Sequence, residues 1–501
     1  MISAWFPKKV NTVKKNFTNP SMYQRMFLVF LCVHFLLWTI LPLLKTTMHP
    51  DSIEAINWGM IGGWVNDKHP PLSGFLADFF WRIGGRADIS IYILAQICMI
   101  ATFVFVYRLG RLIFKDEKKA IISAVLLEGV LYYTMTASDQ FNCNIVSVPL
   151  WAMTTFYVYR GATQGGVADE SRLKVNADWI FAGVVIGLNM LDKYSAAFQV
   201  VGIGAYMVFS RAGREQLRRP WPYIGGLIAA AIFAPHVYAL YKSDFVSLSY
   251  LSLNLVDASK WWLRWTEPIR FVLSLIAAGA GAIVIYFISA RGAKTTRREN
   301  RDAGLFLSIM IFVPIAAMIM NSVISNLTMA SMWGIPFLFL IGIGLAYFFP
   351  RVIGDEQFKR IVVGCYVVMA IFAAANLGKY IFNNGHRIHF DHSSFVADIG
   401  DKWANETGGA PLKFVRGDTW FASILSVYHA QHPRNILNID KHYRRELNSE
   451  SLEKYGLLIV GVRERDVIAP CSKSMLTCPF GAMNIKIGIW RAKHATIICF
   501  T

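Results

Sequence analysis

The stretch "MFLVFLCVHFLLWTILPLLKTTMHPDSIEAINWG", residues 26–59, passes from a long apolar run to a polar segment within a few positions. The run over 26–46 matches the thickness of a hydrocarbon core. Directly beyond it, "HPDSIEAINWG" (49–59) carries Asp51 and Glu54. Carboxylates three residues apart lie on one side of a helix, and a carboxylate at a bilayer edge is tolerated only with water, a partner or a function.

Runs of the same kind recur along the chain. Hydropathy predicts about eleven spans, over 26–46, 90–108, 119–137, 144–160, 178–194, 196–210, 222–241, 269–289, 304–321, 329–349 and 360–378. A 501-residue chain that is 55% hydrophobic and 14% aromatic is too apolar for a soluble domain. The fold class predicted is a polytopic α-helical membrane protein. A formal net charge of +18 invites a nucleic-acid reading, but the charges are placed otherwise. Lysine and arginine crowd alternate loops: Lys8, Lys9, Lys14, Lys15 and Arg25; Arg108, Arg111, Lys115, Lys118 and Lys119; Arg211, Arg214, Arg218 and Arg219; Arg291, Lys294, Arg297, Arg298 and Arg301; Arg351, Lys359 and Arg360. The intervening "SDQFNCN" (138–144) and "NSVISNL" (321–327) carry none. The positive-inside rule then puts the N-terminus in the cytoplasm, and an odd number of spans leaves the C-terminal part outside. The basic, polar residues 1–25 lack a cleavable-signal layout, so the first span reads as a retained anchor.

Two outer segments are long, 47–89 and 242–268. Beyond residue 379 the composition turns polar and alternating, which divides the chain into a membrane domain, 1–378, and an outer α/β domain, 379–501. In the latter, "LKFVRG", "RNILNI", "YGLLIVGV", "MNIKIGIW" and "ATIICF" read as strands. "SSFVADIGDKWANETG" and "DTWFASILSVYHAQ" read as amphipathic helices. Cys32, Cys98, Cys143 and Cys365 sit in or beside apolar runs and are most simply small core residues. Cys471 and Cys478 would face an oxidising compartment, where they could pair or stay apart.

The concentrated polar features all fall toward the outer side. Asp51 and Glu54 open the first outer segment, and Lys68 and His69 follow, held before Pro70 and Pro71, which stiffen the backbone. Asp139, Asn142 and Asn144 occupy the second outer loop. Asp192, Lys193 and Tyr194 end the fifth span, and His236 follows Pro235 in the seventh. Carboxylate, ammonium, imidazole and amide converging on one membrane face suit a phosphate-bearing, lipid-borne substrate. Plainer readings stand beside this one. Asp51 could simply cap a solvated helix start, Lys68 and Lys193 could snorkel to headgroups, and His236 alone is more simply a hydrogen-bonded core histidine than a ligand. The cluster His386, His389, Asp391 and His392 reads as a polar strap at the membrane surface rather than a metal site. The glycines of "AAGAGA" and "IGIGLA" are close-packing surfaces. Neither GxxxxGK[ST] nor Asp-x-Asp occurs, so no nucleotide cradle is visible.

Taken in order, "DSIEAINWG…DKHPPLSGFL", "FNCNIVSVPLWAMTTFYVYRG", "GLNMLDKYSAAF" and "APHVYALY" resemble the membrane-embedded glycosyltransferases of the GT-C fold. The class is that of glycosyltransferase families 39 and 83, with the protein mannosyltransferases, the lipid A aminoarabinose transferase and the rhizobial galacturonic acid transferases. "SMWGIPFLFLIGIG" and "LKFVRGDTWFASILSVY" resemble its bacterial branch. The resemblance implies an inner-membrane enzyme that moves a sugar from a polyprenyl-phosphate donor to an acceptor hydroxyl on the periplasmic face. It implies Asp51 as the catalytic carboxylate, and Lys68 or His69, with Lys193, as the groups that meet the donor phosphate. Glu54 stands where the family has an acid adjacent to the first, one helical turn displaced. Glu54, Asp139, Asn142, Asn144 and Tyr194 would support the site or bind acceptor, and His236 with Glu54 would be the pair for a divalent metal, where one is used. The implied acceptor is lipopolysaccharide or another glycolipid. A protein hydroxyl, or a flippase for lipid-linked sugar, is the alternative, the latter expected to place charge deep in the spans and to show inverted halves.

Overall fold

The computed structural model describes residues 21–163, 176–252, 255–256, 262–296, 300–382, 387–436, 455–461, 476–480, 483–491 and 496–499. Its helices, in chain order, begin with α1 (Met22–Ile40), α2 (Pro50–Ile61), α3 (Leu72–Ile83), α4 (Ile89–Phe114), α5 (Glu117–Val125) and α6 (Met135–Asp139). Next come α7 (Cys143–Thr163), α8 (Ala177–Asp192), α9 (Ala196–Phe209), α10 (Arg211–Leu217), α11 (Trp221–Lys242) and α12 (Val246–Ser252). The membrane part closes with α13 (Leu263–Ser289), α14 (Arg301–Ser325), α15 (Ile341–Phe348) and α16 (Asp355–Phe382). The chain is mainly helical, with a small sheet at its C-terminal end, as its composition and periodicity imply.

Each predicted span coincides with a helix or a bent pair of helices. Among the described residues, six helices are long and apolar enough to cross a membrane, and eight segments are if each bent pair counts as one. The pairs break by 85° after Gly129 and by 57° before Ile341. Helices α8 and α9 have only 16 and 14 residues, less than the ~20 that a hydrocarbon core asks of one helix. The apolar faces of α1, α11 and α13 are exposed, with Leu28, Leu36, Leu227, Leu273 and Ile288 more than half uncovered, as lipid-facing surfaces are.

Small residues let the interior elements approach. A Cβ on Gly281 of α13 would lie 2.5 Å from the Gly129 carbonyl oxygen, and one on Gly342 of α15 would lie 2.0 Å from that of Ser123. Both glycine-rich stretches therefore pack helix to helix. At the elbow beside Gly129, the buried Glu128 accepts from Trp38 Nε1 at 2.9 Å and stands 2.6 Å from His34 Nδ1. Cys98, Cys143 and Cys365 are buried, whereas Cys32 is exposed on α1.

In the C-terminal part, α17 (His392–Thr407) and α18 (Thr419–Tyr428) match the two predicted amphipathic helices. The strands are β1 (Phe414–Gly417), β2 (Arg434–Asn435), β3 (Leu457–Gly461), β4 (Leu476–Phe480), β5 (Met483–Arg491) and β6 (Thr496–Cys499), in the order β2-β1-β3-β5-β4. β1 runs parallel to β2 and β3, and β5 runs antiparallel to β3. β4 and β6 pair with successive halves of β5. Strand β4 has no counterpart in the sequence reading: Pro479 and the flanking cysteine masked a short strand whose single ladder is with β5. Cys478 lies on β4, whereas Cys471, like His386, lies outside the described residues, and so does any pairing of the two cysteines. Asp391 caps α17, accepting from the Ser394 N–H at 3.0 Å, so this part of the histidine-rich strap is a helix start.

One end of the bundle gathers the predicted cytoplasmic charges. Tyr23 donates to Asp355 at 2.7 Å, Lys118 pairs with Asp355, and Arg111 pairs with Glu117. The carboxylates, lysines and amides singled out above lie at the other end, where the C-terminal sheet also sits.

Candidate active site

Helix α2 begins with Pro50 at its first position, where a missing N–H costs nothing. Its N-cap is His49, whose Nδ1 accepts from the Asp51 N–H at 3.2 Å. Asp51 is therefore not the cap but sits in the first turn, and its carboxylate is about a third exposed. The Asn142 amide donates to Asp51 Oδ2 at 2.9 Å. Asn142 is itself fixed, because its Oδ1 accepts from the N–H of Asn144 at 2.9 Å at the start of α7. The Ser52 hydroxyl accepts from the Phe141 N–H at 2.8 Å. The second outer loop thus holds the base of α2 in register.

Helices α2 and α3 form a tight hairpin. A Cβ on Gly59 would lie 2.1 Å from the Gly74 carbonyl oxygen, so only glycine permits the approach. The connecting loop, with Gly62 left-handed at φ 73°, brings residues 66–69 beneath α2. Trp58 Nε1 donates to Asp67 Oδ1 at 2.9 Å, and its ring meets His69 edge-on at 5.8 Å. Lys68 Nζ donates to Glu54 Oε1 at 2.5 Å. Burial pushes the Glu54 carboxyl up to about 7, against the pull of Lys68. Burial also pushes His69 down to about 3, helped by Lys193 and Lys68 nearby. His69 is thus a neutral imidazole between two ammonium groups, and the cationic role in this loop falls to Lys68.

Lys193 arrives from another element. The chain leaves α8 at this residue in an extended conformation (φ −155°, ψ 136°), which turns the side chain inward to donate to Asn144 Oδ1. It is buried and does not snorkel. Beside it, Ser147 donates to Asp192 at 2.7 Å. Asp51, Asn142, Asn144 and Lys193 form one connected line, with the Glu54–Lys68 pair one helical turn away on α2.

Other expected residues are placed differently. Both carboxylate oxygens of Asp139 are occupied, by Lys45 Nζ at 3.1 Å and by Lys379 Nζ at 2.6 Å. Asp139 therefore joins the ends of α1 and α16 rather than facing an acceptor. Nδ1–H of His236 donates to the Trp64 carbonyl at 2.7 Å, which fixes the tautomer, and Nε2 accepts from Tyr194 at 2.9 Å. In this structure both His236 nitrogens are hydrogen-bonded and Glu54 is held by Lys68, and no group of three or more His, Cys, Asp or Glu able to hold a metal occurs among the described residues. His236 and Ser247, which donates to the Asn66 carbonyl, instead tether the 62–71 loop. Trp58, Trp64, Lys45 and Lys379 were not legible as site-forming residues, since a tryptophan or a span-end lysine has many ordinary uses in a membrane protein.

Residues 68–238 match the family model of dolichyl-phosphate-mannose-protein mannosyltransferase. That range holds Lys68, His69, Asn142, Asn144, Lys193 and His236 but not Asp51 or Glu54. Among solved structures, the chain is similar to ArnT from Cupriavidus metallidurans bound to undecaprenyl phosphate and to the same protein in the apo state. Each match has a TM-score of 0.63 at 12% identity and covers 93% of this chain and 98% of that one. The oligosaccharyltransferase AglB from Archaeoglobus fulgidus, in complex with an inhibitory peptide and a dolichol-phosphate, matches at a TM-score of 0.42 and 12% identity, over 88% of this chain and 70% of that one. No curated protein sequence matches significantly. The fold expected from the sequence, that of the GT-C membrane glycosyltransferases, is the fold this chain has.

Proposed function

We propose that the chain is an inverting glycosyltransferase that takes a sugar from a polyprenyl-phosphate donor and passes it to a hydroxyl of lipopolysaccharide or another glycolipid, at the periplasmic face of a bacterial inner membrane. One observation carries this reading. A carboxylate on α2, Asp51, shares an outer-end site with two ammonium groups, Lys68 and Lys193, that come from different elements. Glycosyl transfer passes through an oxocarbenium-like state, which asks for a base on one side of the sugar and positive charge at the departing phosphate on the other. The ArnT structure with undecaprenyl phosphate supports the choice of donor class.

In this mechanism Asp51 removes the proton of the acceptor hydroxyl. The oxygen attacks the anomeric carbon, the bond to the phosphate oxygen breaks, and its electron pair stays on the polyprenyl phosphate. Lys68 and Lys193 stabilise that charge by charge-assisted hydrogen bonds, and neutral His69 can add one more. Asn142 keeps one Asp51 oxygen occupied and leaves the other for the acceptor. The apolar exposed helices give the prenyl chain its wall. Crowding of the polar groups at one end of the bundle favours transfer over transport across the membrane.

The test is purified protein in vesicles with radiolabelled undecaprenyl-phosphate sugars and an envelope-lipid extract. Label transferred to a lipid A, core or O-antigen acceptor is the expected result. Intact donor crossing the vesicle without bond cleavage would replace the proposal with a flippase, and label on protein would replace the glycolipid acceptor.

A further inference from the structure

The segment that leads into α2 takes its contacts from the C-terminal domain. The N–H groups of Thr46 and Thr47 both donate to the Ile388 carbonyl, at 3.1 and 3.2 Å, and Thr46 Oγ1 donates to the same oxygen at 3.0 Å. Thr47 Oγ1 donates to the Phe390 carbonyl and lies 2.9 Å from His392 Nδ1. Because the threonine proton is committed to Phe390, His392 is the donor in that second contact. The His392 ring lies against Tyr428, with centroids 3.9 Å apart, and the Tyr428 hydroxyl donates to Asp88 at 3.1 Å, just before α4. Met48, between strap and helix, is fully buried. On the preceding side Lys45 is pinned to Asp139.

Only three residues separate Thr47 from Asp51, and they include His49, which caps α2, and Pro50, whose φ is fixed. The strap has little slack. A shift of Thr47 is passed to the first turn of α2, whereas Asn142 and Ser52 hold that turn from the membrane side. The carboxylate of Asp51 thus sits between two bodies, and its distance from an acceptor depends on both.

We infer that the C-terminal domain sets the place of Asp51, with Thr47 and His392 as positioning residues. The inference rests on the reading of Asp51 as the base. A catalytic group displaced by about 1 Å can cost on the order of a hundredfold in rate, while Lys68 and Lys193, which meet the donor phosphate in the proposed mechanism, come from the 62–71 loop and the end of α8 and not from the strap itself. Loosening the strap therefore lowers kcat and leaves donor KM alone.

The experiment uses full-length protein in nanodiscs, with undecaprenyl-phosphate-linked radiolabelled sugars and envelope-lipid extract. Thr47→Val, which keeps the shape and loses the hydroxyl, is expected to lower kcat about tenfold or more with donor KM within about twofold. Thr47→Ser is expected to restore the rate. A Thr47→Val protein with unchanged kcat, a loss shared by donor KM, or a loss that Thr47→Ser does not recover overturns the inference. Should Thr47→Val not fold, His392→Ala and His392→Asn carry the same comparison, since asparagine keeps a donor near Nδ1. A slow alanine variant beside a restored asparagine variant supports the inference, and equal rates in the two overturn it. Asp51→Asn measured alongside separates the two claims. Turnover in that variant removes the base itself, whereas an inert Asp51→Asn with an unaffected Thr47→Val removes only the positioning.

Discussion

Lys68 and Glu54 face each other across 2.5 Å, one from the loop and one from α2. The pair gives the displaced acid of α2 a place: it holds the loop ammonium, and in the proposed mechanism it competes with the donor phosphate for it. Burial pushes Glu54 up to about 7, so the competition depends on pH near neutrality. As pH falls below about 7 the carboxyl takes up a proton and its hold on Lys68 weakens. Above it, the carboxylate retains the lysine. Donor KM should rise as pH passes through about 7, and Glu54→Gln should flatten that rise. Steady-state kinetics from pH 5.5 to 8.5 measure both.

The same shift has a stability consequence of definite sign. A carboxyl whose folded-state value is raised above its unfolded value favours the fold most when protonated in both states. Its contribution is complete below about 4.5 and is lost as pH rises through about 7. Thermal melts should show the wild type losing more stability than Glu54→Gln between pH 5 and pH 7.

Lys193 is buried and donates to the amide oxygen of Asn144. A buried ammonium held by a neutral acceptor is suited to an incoming anion. Lys193→Ala should lower kcat/KM by about a hundredfold, in the range seen when one preorganised donor to a developing charge is removed. Lys193→Arg should recover little, because a fork-shaped guanidinium does not replace a point charge at a closed site.

Glu128 is buried at the elbow of the bent third span, bound by Trp38 and His34 of α1. Removing one partner of a buried hydrogen-bonded pair leaves the other unsatisfied and costs about 1–3 kcal/mol. Glu128→Leu should therefore melt well below wild type, and His34→Phe in the same chain should recover part of the loss. Differential scanning fluorimetry of the three proteins reads this.

Much of the architecture was legible because membranes impose simple rules on sequence. Apolar run length located the helices, and the alternation of basic loops separated the two ends of the bundle, consistent with Lys118 and Arg111 at one end and Lys68 and Lys193 at the other. Period-two patterns found five of the six strands among the described residues, and only β4, interrupted by Pro479, escaped. The site was legible as residue types near span ends. Its pairing was not, since Glu54 with Lys68 and Asp51 with Asn142 depend on a hairpin closed by Gly59 and Gly74. Asp139 shows the converse: its position in an outer loop suggested the site, but Lys45 and Lys379, far apart in sequence, take both its oxygens. The number of true spans was also beyond hydropathy, because α8 and α9 are short and two segments are bent.

In the proposed mechanism Asp51 acts as the base while Lys68 and Lys193 hold the phosphate. Asp51→Asn keeps the side chain's size and its neighbours but cannot accept the proton. Undecaprenyl phosphate binding and sugar transfer should be measured on the same purified preparation. Donor affinity is expected within about twofold of wild type and turnover lowered by about a hundredfold to ten-thousandfold, the usual reach of a general base. Transfer at the wild-type rate in Asp51→Asn would contradict that mechanism.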